Sequence, residues 1–166
     1  MSDWRIAFFF PAVLAASGVF GGGCDGTGRL YSYSDNRPAA LALTAPGTWR
    51  LQGDVYHPER AADGDRGTIA VSSLSYRNAT ITIDLGKACL FNAIFIDHGP
   101  SEVGFCRTVA VLTSLDGKRF TRRYEGPGTR RVTSLCIIRP TLARYIRLQA
   151  VRSGAEPWSL AEIYIQ

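Results

Sequence analysis

The chain has 166 residues, 46% of them hydrophobic and 20% charged, a profile that suits one globular domain and excludes an intrinsically disordered chain. Its formal net charge is +5 at pH 7, drawn mainly from Arg in the C-terminal half. Such an excess serves an anionic partner (nucleic acid, lipid or acidic glycan) or a solvated surface. No RNA-binding aromatic signature, helix-turn-helix pattern or zinc-finger spacing accompanies it, so nucleic acid is not an expected partner.

Residues 1–35 read as a segment apart. Within MSDWRIAFFFPAVLAASGVFGGGC the run from Ile6 to Phe20 is apolar. It is closer to a signal-peptide core than to a membrane span, which needs about 20 apolar residues. Asp3 and Pro11 suit a signal poorly, whereas Ala15, Ala16, Ser17 and Gly18 supply the small residues that follow one. Gly-Gly-Gly-Cys24 faintly resembles a lipoprotein cleavage site. Signal peptide, anchor and docking arm all stay open, and a membrane would be met only through residues 1–24, if retained.

From residue 36 the signals are those of strands. AADGDRGT, Ala61 to Thr68, is either a tight turn or a loop whose carboxylates, carbonyls and hydroxyl hold a hard cation. ATITIDLG alternates apolar Ile81, Ile83 and Leu85 with Thr80, Thr82 and Asp84, as a half-buried strand does. FNAIFIDHG is a second β run after a short break. RTVAVLTSLDGKRFTRRY is a strand, an Asp116-Gly117 turn and another strand. ARYIRLQAV and AEIYIQ alternate again, divided by the polar loop RSGAEP. No stretch of a dozen residues keeps a helical period, so the pattern predicts an antiparallel sandwich or barrel.

Cys24, Cys89, Cys106 and Cys136 form no CxxC pair, which argues against zinc and thioredoxin-type chemistry. The last three lie in or beside apolar β runs, where Cys acts as a small buried hydrophobe. One disulfide among them is the alternative in an exported chain.

Taken in order, HPERAADGDRGT, ITIDLGK, VAVLTSLDGKRF, ARYIRLQAV and WSLAEIYI resemble the discoidin, or coagulation factor V/VIII C-type, domain. That family includes galactose-binding-like carbohydrate-binding modules. The resemblance covers residues 36–166 and implies an all-β antiparallel β-sandwich, a discoidin-like jelly roll, behind the apolar extension 1–35. It further implies one structural Ca²⁺, held by Asp63, Asp65, Thr68 and Glu162 with carbonyls of Arg60 or Ala61. Without an ion, Asp63 caps the turn and Glu162 pairs with Arg66. One departure stands out: Ile69-Ala70 follow DGDRGT where many relatives carry Trp.

Catalysis is not expected. No GxSxG or HExxH pattern occurs, and the neighbours Asp97 and His98 point to opposite faces of a strand. The resemblance implies instead a non-enzymatic binding module that recognises a glycan or a cell or extracellular surface through loops at one end. Trp49, Tyr56, His57, His98 and Arg107 are its candidate ligand residues. For Trp49 a core plug is the bland alternative, for His98 a loop-edge hydrogen bond, for His57 a turn; Trp158 reads as packing. The implied location is extracytoplasmic, secreted or surface-anchored. The alternative is a structural docking subunit of a multiprotein assembly, such as a phage tail or virion, with the retained arm packing on a protein neighbour.

Overall fold

Alternate side chains of a strand face opposite ways, so a period-two apolar pattern selects the inward face. The computed structural model describes residues 38–73 and 77–166. The expectations for residues 1–35, including Cys24, lie outside them. Among the described residues the strands are β1 (Arg50–Gly53), β2 (Val55–Tyr56), β3 (Ala70–Ser72), β4 (Thr80–Asp97), β5 (Thr108–Ser114), β6 (Thr121–Pro127), β7 (Val132–Arg152), β8 (Ser159–Leu160) and β9 (Glu162–Ile165). Short 3₁₀ turns are the helical pieces among the described residues.

One sheet runs β1-β4-β7-β5-β6, with β9 paired to β4; a smaller sheet runs β2-β3-β8. Every pairing is antiparallel. β4 is a single strand where a break was expected between ATITIDLG and FNAIFIDHG. Its first half pairs with β1 and its second with β9, and its register with β7 slips between Asp84 and Cys89 and between Phe91 and Ala93. Such irregularities bend a strand and raise its local twist.

The core is one cluster in which Ile81, Ile83, Leu85, Phe91, Ile94 and Ile96 of β4 meet Leu135, Ile146 and Leu148 of β7. Each such side chain contributes about 1.5–3 kcal/mol by leaving water. Trp158 is fully buried with them, as its packing reading requires. Cys89 and Cys106 are buried as expected, and burial pushes the Cys106 thiol up to about 12. Cys136 is instead exposed, because it falls between the inward-facing Leu135 and Ile137. All three thiols are free.

Candidate functional site

Three loops meet at one end of the sandwich, and backbone hydrogen bonds fix their order. Ser159 N–H donates to Gly104 O at 2.8 Å, Arg107 N–H to Arg152 O at 2.8 Å, Gly128 N–H to Arg107 O at 3.1 Å and His98 N–H to Arg131 O at 2.7 Å. The loops 98–107, 128–131 and 153–158 therefore form one surface. β3 borders it, with Val71 paired to Tyr56 of β2 on one side and to Ser159 of β8 on the other.

An open groove of about 360 Å³ lies here. Ile69, Val71, Val103 and Pro157 give it an apolar wall, while Ser101, Glu156 and Ser159 supply hydroxyl and carboxylate groups. Tyr56, the cross-strand neighbour of Val71, is 63% exposed. An exposed aromatic ring beside an apolar groove with a few fixed polar groups can stack a ring and read its hydroxyls.

Beneath this surface His98 is fully buried. Its Nδ1 lies 2.6 Å from the Ser159 carbonyl oxygen, which only accepts, so Nδ1 carries the proton. Its Nε2, 2.8 Å from Thr133 Oγ1, then accepts from that hydroxyl, and Thr133 Oγ1 accepts Thr129 N–H at 3.0 Å. Burial holds the His98 pKa below its ordinary value, against the opposing pull of the Ser159 bond and the Asp97 charge. His98 pins loop ends together from inside.

The DGD loop closes against the last strand. Asp63 accepts Asp65 N–H at 2.9 Å and Thr68 Oγ1–H at 2.7 Å, bonds that hold its carboxyl below the usual range. Gly64 N–H donates to Glu162 Oε1 at 2.5 Å. Glu162 is buried opposite Asp97 in the β4–β9 register. Burial pushes its pKa up, and the charges of Asp63 and Asp97 push the same way while the Gly64 bond opposes them. Arg66 pairs with Asp97, through Nε at 2.9 Å and through Nη2, rather than with Glu162 as the ion-free reading expected. Asp63, Glu162, the Asp65 carbonyl and the Thr68 hydroxyl are oxygen donors only, the set a hard cation takes. Asp65 accepts Gly67 N–H on its carboxylate at 2.8 Å, and its carbonyl lies 3.0 Å from Thr68 Oγ1. No three Asp, Glu, His or Cys side chains of the described residues form a metal cluster by themselves.

Comparison with known proteins matches residues 42–163 to the F5/8 type C domain. The chain belongs to the F5/8 type C domain family. No curated protein matches it at a significant level. Solved structures that share the fold include three carbohydrate-binding modules. CpGH89CBM32-5 from Clostridium perfringens, in complex with GalNAc-β-1,3-galactose, has a TM-score of 0.68 at 20% identity over 75% of this chain and 99% of its own. The family 32 carbohydrate-binding module of C. perfringens NanJ, in complex with galactose, scores 0.66 at 19% identity over 75% and 97%. Chitosan-binding module 1 of a Paenibacillus sp. IK-5 chitosanase/glucanase scores 0.60 at 19% over 75% and 96%.

On this F5/8 type C frame the candidate ligand residues separate. Tyr56, His57 and Arg107 are exposed at or beside the loop end. Trp49 is not: it sits at the other end of β1, 8% exposed, with Nε1 donating to Thr44 Oγ1 at 2.9 Å, so the core-plug alternative holds. His98, expected at a loop edge, is interior. The groove residues Ser101, Val103, Glu156 and Pro157 were missed, since nothing in SEVG or EPW marks them before the loops are brought together. Ile69 opens onto this groove, so its wall is aliphatic there.

Proposed function

We propose that residues 36–166 are a non-catalytic carbohydrate-binding domain that takes a glycan, or a surface bearing one, in the loop-end groove in an extracytoplasmic setting. The observation that carries this reading is the exposed Tyr56 ring standing beside the apolar groove of Ile69, Val71, Val103 and Pro157. Galactose, GalNAc-β-1,3-galactose and chitosan binding by relatives of the same fold supports it. Of the two imidazoles, His98 is locked in the core, while His57, with Nδ1 3.3 Å from Glu59, stands exposed on its turn. A glycan array followed by titration of the strongest hit tests the reading. Tyr56→Ala is expected to weaken that hit at least tenfold, about 1.4 kcal/mol. A hit that ignores Tyr56→Ala removes the groove from the account, and an empty array removes the glycan.

A further inference from the structure

Several Arg side chains of this domain are occupied within the molecule. Arg144 donates to both Asp84 carboxylate oxygens at 2.8 and 2.9 Å, Arg66 pairs with Asp97, and Arg122 with Glu125. Arg147 lies 3.8 Å over the Phe120 ring and donates to Thr82 Oγ1 at 3.0 Å.

At the loop end the balance changes. Arg107, Arg130, Arg131 and Arg152 are all exposed there. Among the described residues only Arg131 has a carboxylate partner, Glu102 at 3.6 Å, with both side chains mostly in solvent. Such a pair is weak and easily exchanged.

The fold also brings these four together and holds them. Arg107 N–H bonds Arg152 O, and Gly128 N–H bonds Arg107 O, so the 128–131 turn lies against the Arg107 backbone. A Cβ on Gly128 would fall 1.9 Å from the Cys106 carbonyl oxygen, so that approach requires glycine. Arg131 occupies the left-handed region at φ 62, and its carbonyl accepts His98 N–H at 2.7 Å. Non-glycine residues avoid that conformation unless their surroundings impose it. The Arg107 guanidinium sits 4.9 Å over the Phe105 ring, which pre-organises it.

From this juxtaposition we propose that the loop end binds an acidic glycan, one bearing carboxylate or sulfate groups, with Arg107, Arg130, Arg131 and Arg152 as its anion-reading set beside the Tyr56 groove. The inference rests on the glycan reading above and names its ligand class. Guanidinium forks match planar carboxylate and sulfate oxygens in bidentate fashion. A concave groove bordered by a stacking ring fits a saccharide better than a flat lipid surface.

Titration calorimetry on the full chain tests it, with an oligogalacturonate and a heparin-derived oligosaccharide set against neutral galacto-oligosaccharides at low and high NaCl. At least one acidic oligosaccharide is expected to bind tenfold or more tighter than the neutral ones and to weaken as salt rises. The Arg107→Gln/Arg152→Gln double variant is expected to lose at least tenfold of that affinity. Arg50→Gln/Arg119→Gln, removing the same charge at the opposite end, is expected to lose less than twofold. Salt dependence of the wild type stands as a readout even if the first pair misfolds.

Equal, salt-independent binding of the neutral sugars overturns the acidic assignment and leaves the glycan reading intact. No saccharide binding overturns both. An equal loss in the Arg50/Arg119 pair reduces the effect to net charge and overturns the site. Tighter Arg107-dependent binding of phosphatidylserine vesicles or a DNA oligonucleotide overturns the choice of glycan.

Discussion

His98 and Ser159 hold each other twice: Nδ1–H of His98 donates to the Ser159 carbonyl at 2.6 Å, and Ser159 Oγ–H returns a bond to the His98 carbonyl at 2.9 Å. The pair ties the end of β4 to β8 directly under the loops. His98→Phe leaves the Ser159 carbonyl without its imidazole donor, at about 1–3 kcal/mol for a buried group, whereas the Thr133 hydroxyl can still donate to the Thr129 carbonyl at 3.2 Å. The pH profile isolates the imidazole. The folded pKa lies below the ordinary 6.5, so the unfolded chain binds more protons as pH falls. His98 therefore leaves stability whole above that range and removes it as pH drops toward the folded value, at no more than about 1.4 kcal/mol per pH unit. Urea unfolding of wild type and His98→Phe between pH 5 and 8 checks this. The wild-type slope in that window is expected to flatten in the variant, and parallel profiles would discard the buried neutral imidazole.

Much of the sandwich was legible because alternation survives tertiary context: Ile81, Ile83 and Leu85 are all fully buried. The Asp116-Gly117 turn was legible because its chemistry is local. His98 was not, since its partner Ser159 is 61 residues away and a polar side chain beside Gly99 reads as surface. The Arg66–Asp97 pair, 31 residues apart, was hidden for the same reason. The groove suffers most, because its walls come from three separate stretches that carry no shared pattern. Cys136 was misplaced by treating an apolar run as wholly inward, when the inward parity belongs to Leu135 and Ile137.

That parity makes a chemical prediction. In a Cys24→Ser background, one thiol per chain, Cys136, is expected to react rapidly with Ellman's reagent. Cys106, with its pKa near 12 and no solvent contact, should react only on unfolding, and buried Cys89 likewise. Cys136→Ser should then abolish the fast phase with little effect on stability. Leu135→Ala, one residue away but inward, should destabilise by about 2–5 kcal/mol. A fast phase that survives Cys136→Ser contradicts the strand register.

The β5–β6 turn gives a test of local geometry. Asp116 Oδ1 accepts Lys118 N–H at 2.8 Å and Arg119 N–H at 2.9 Å, and these bonds with Ser114 Oγ–H draw its pKa down to about 2. Gly117 next to it has φ +73, and a Cβ there would lie 3.1 Å from the Tyr145 ring. Gly117→Ala is expected to lose about 1–2 kcal/mol from the left-handed backbone alone. Chemical denaturation checks this value, and an unchanged midpoint means the turn adopts another shape.

The DGD clasp is where one substitution separates two physical accounts. Glu162 is buried near the charges of Asp63 and Asp97, and only Arg66 supplies a cation among its named neighbours. With hydrogen bonds alone, that charge is a burden, because a carboxylate whose pKa is raised on folding withdraws stability as pH climbs past its ordinary range. Glu162→Gln keeps an oxygen for Gly64 N–H and removes the charge, so in EDTA its Tm should exceed the wild type's. If a Ca²⁺ sits on Asp63, Glu162, Thr68 and the Asp65 carbonyl, as we propose, the same carboxylate becomes a ligand. Calcium at a hundredfold above its Kd then adds about 2.7 kcal/mol to the wild type, and less to Glu162→Gln and Asp63→Asn. The expected result is a crossover, with Glu162→Gln the more stable in EDTA and the wild type in calcium. Thermal scans of the three proteins in both buffers decide it: a wild type indifferent to calcium leaves a clasp closed by Asp63, Thr68 and the Gly64–Glu162 bond, with no ion in it.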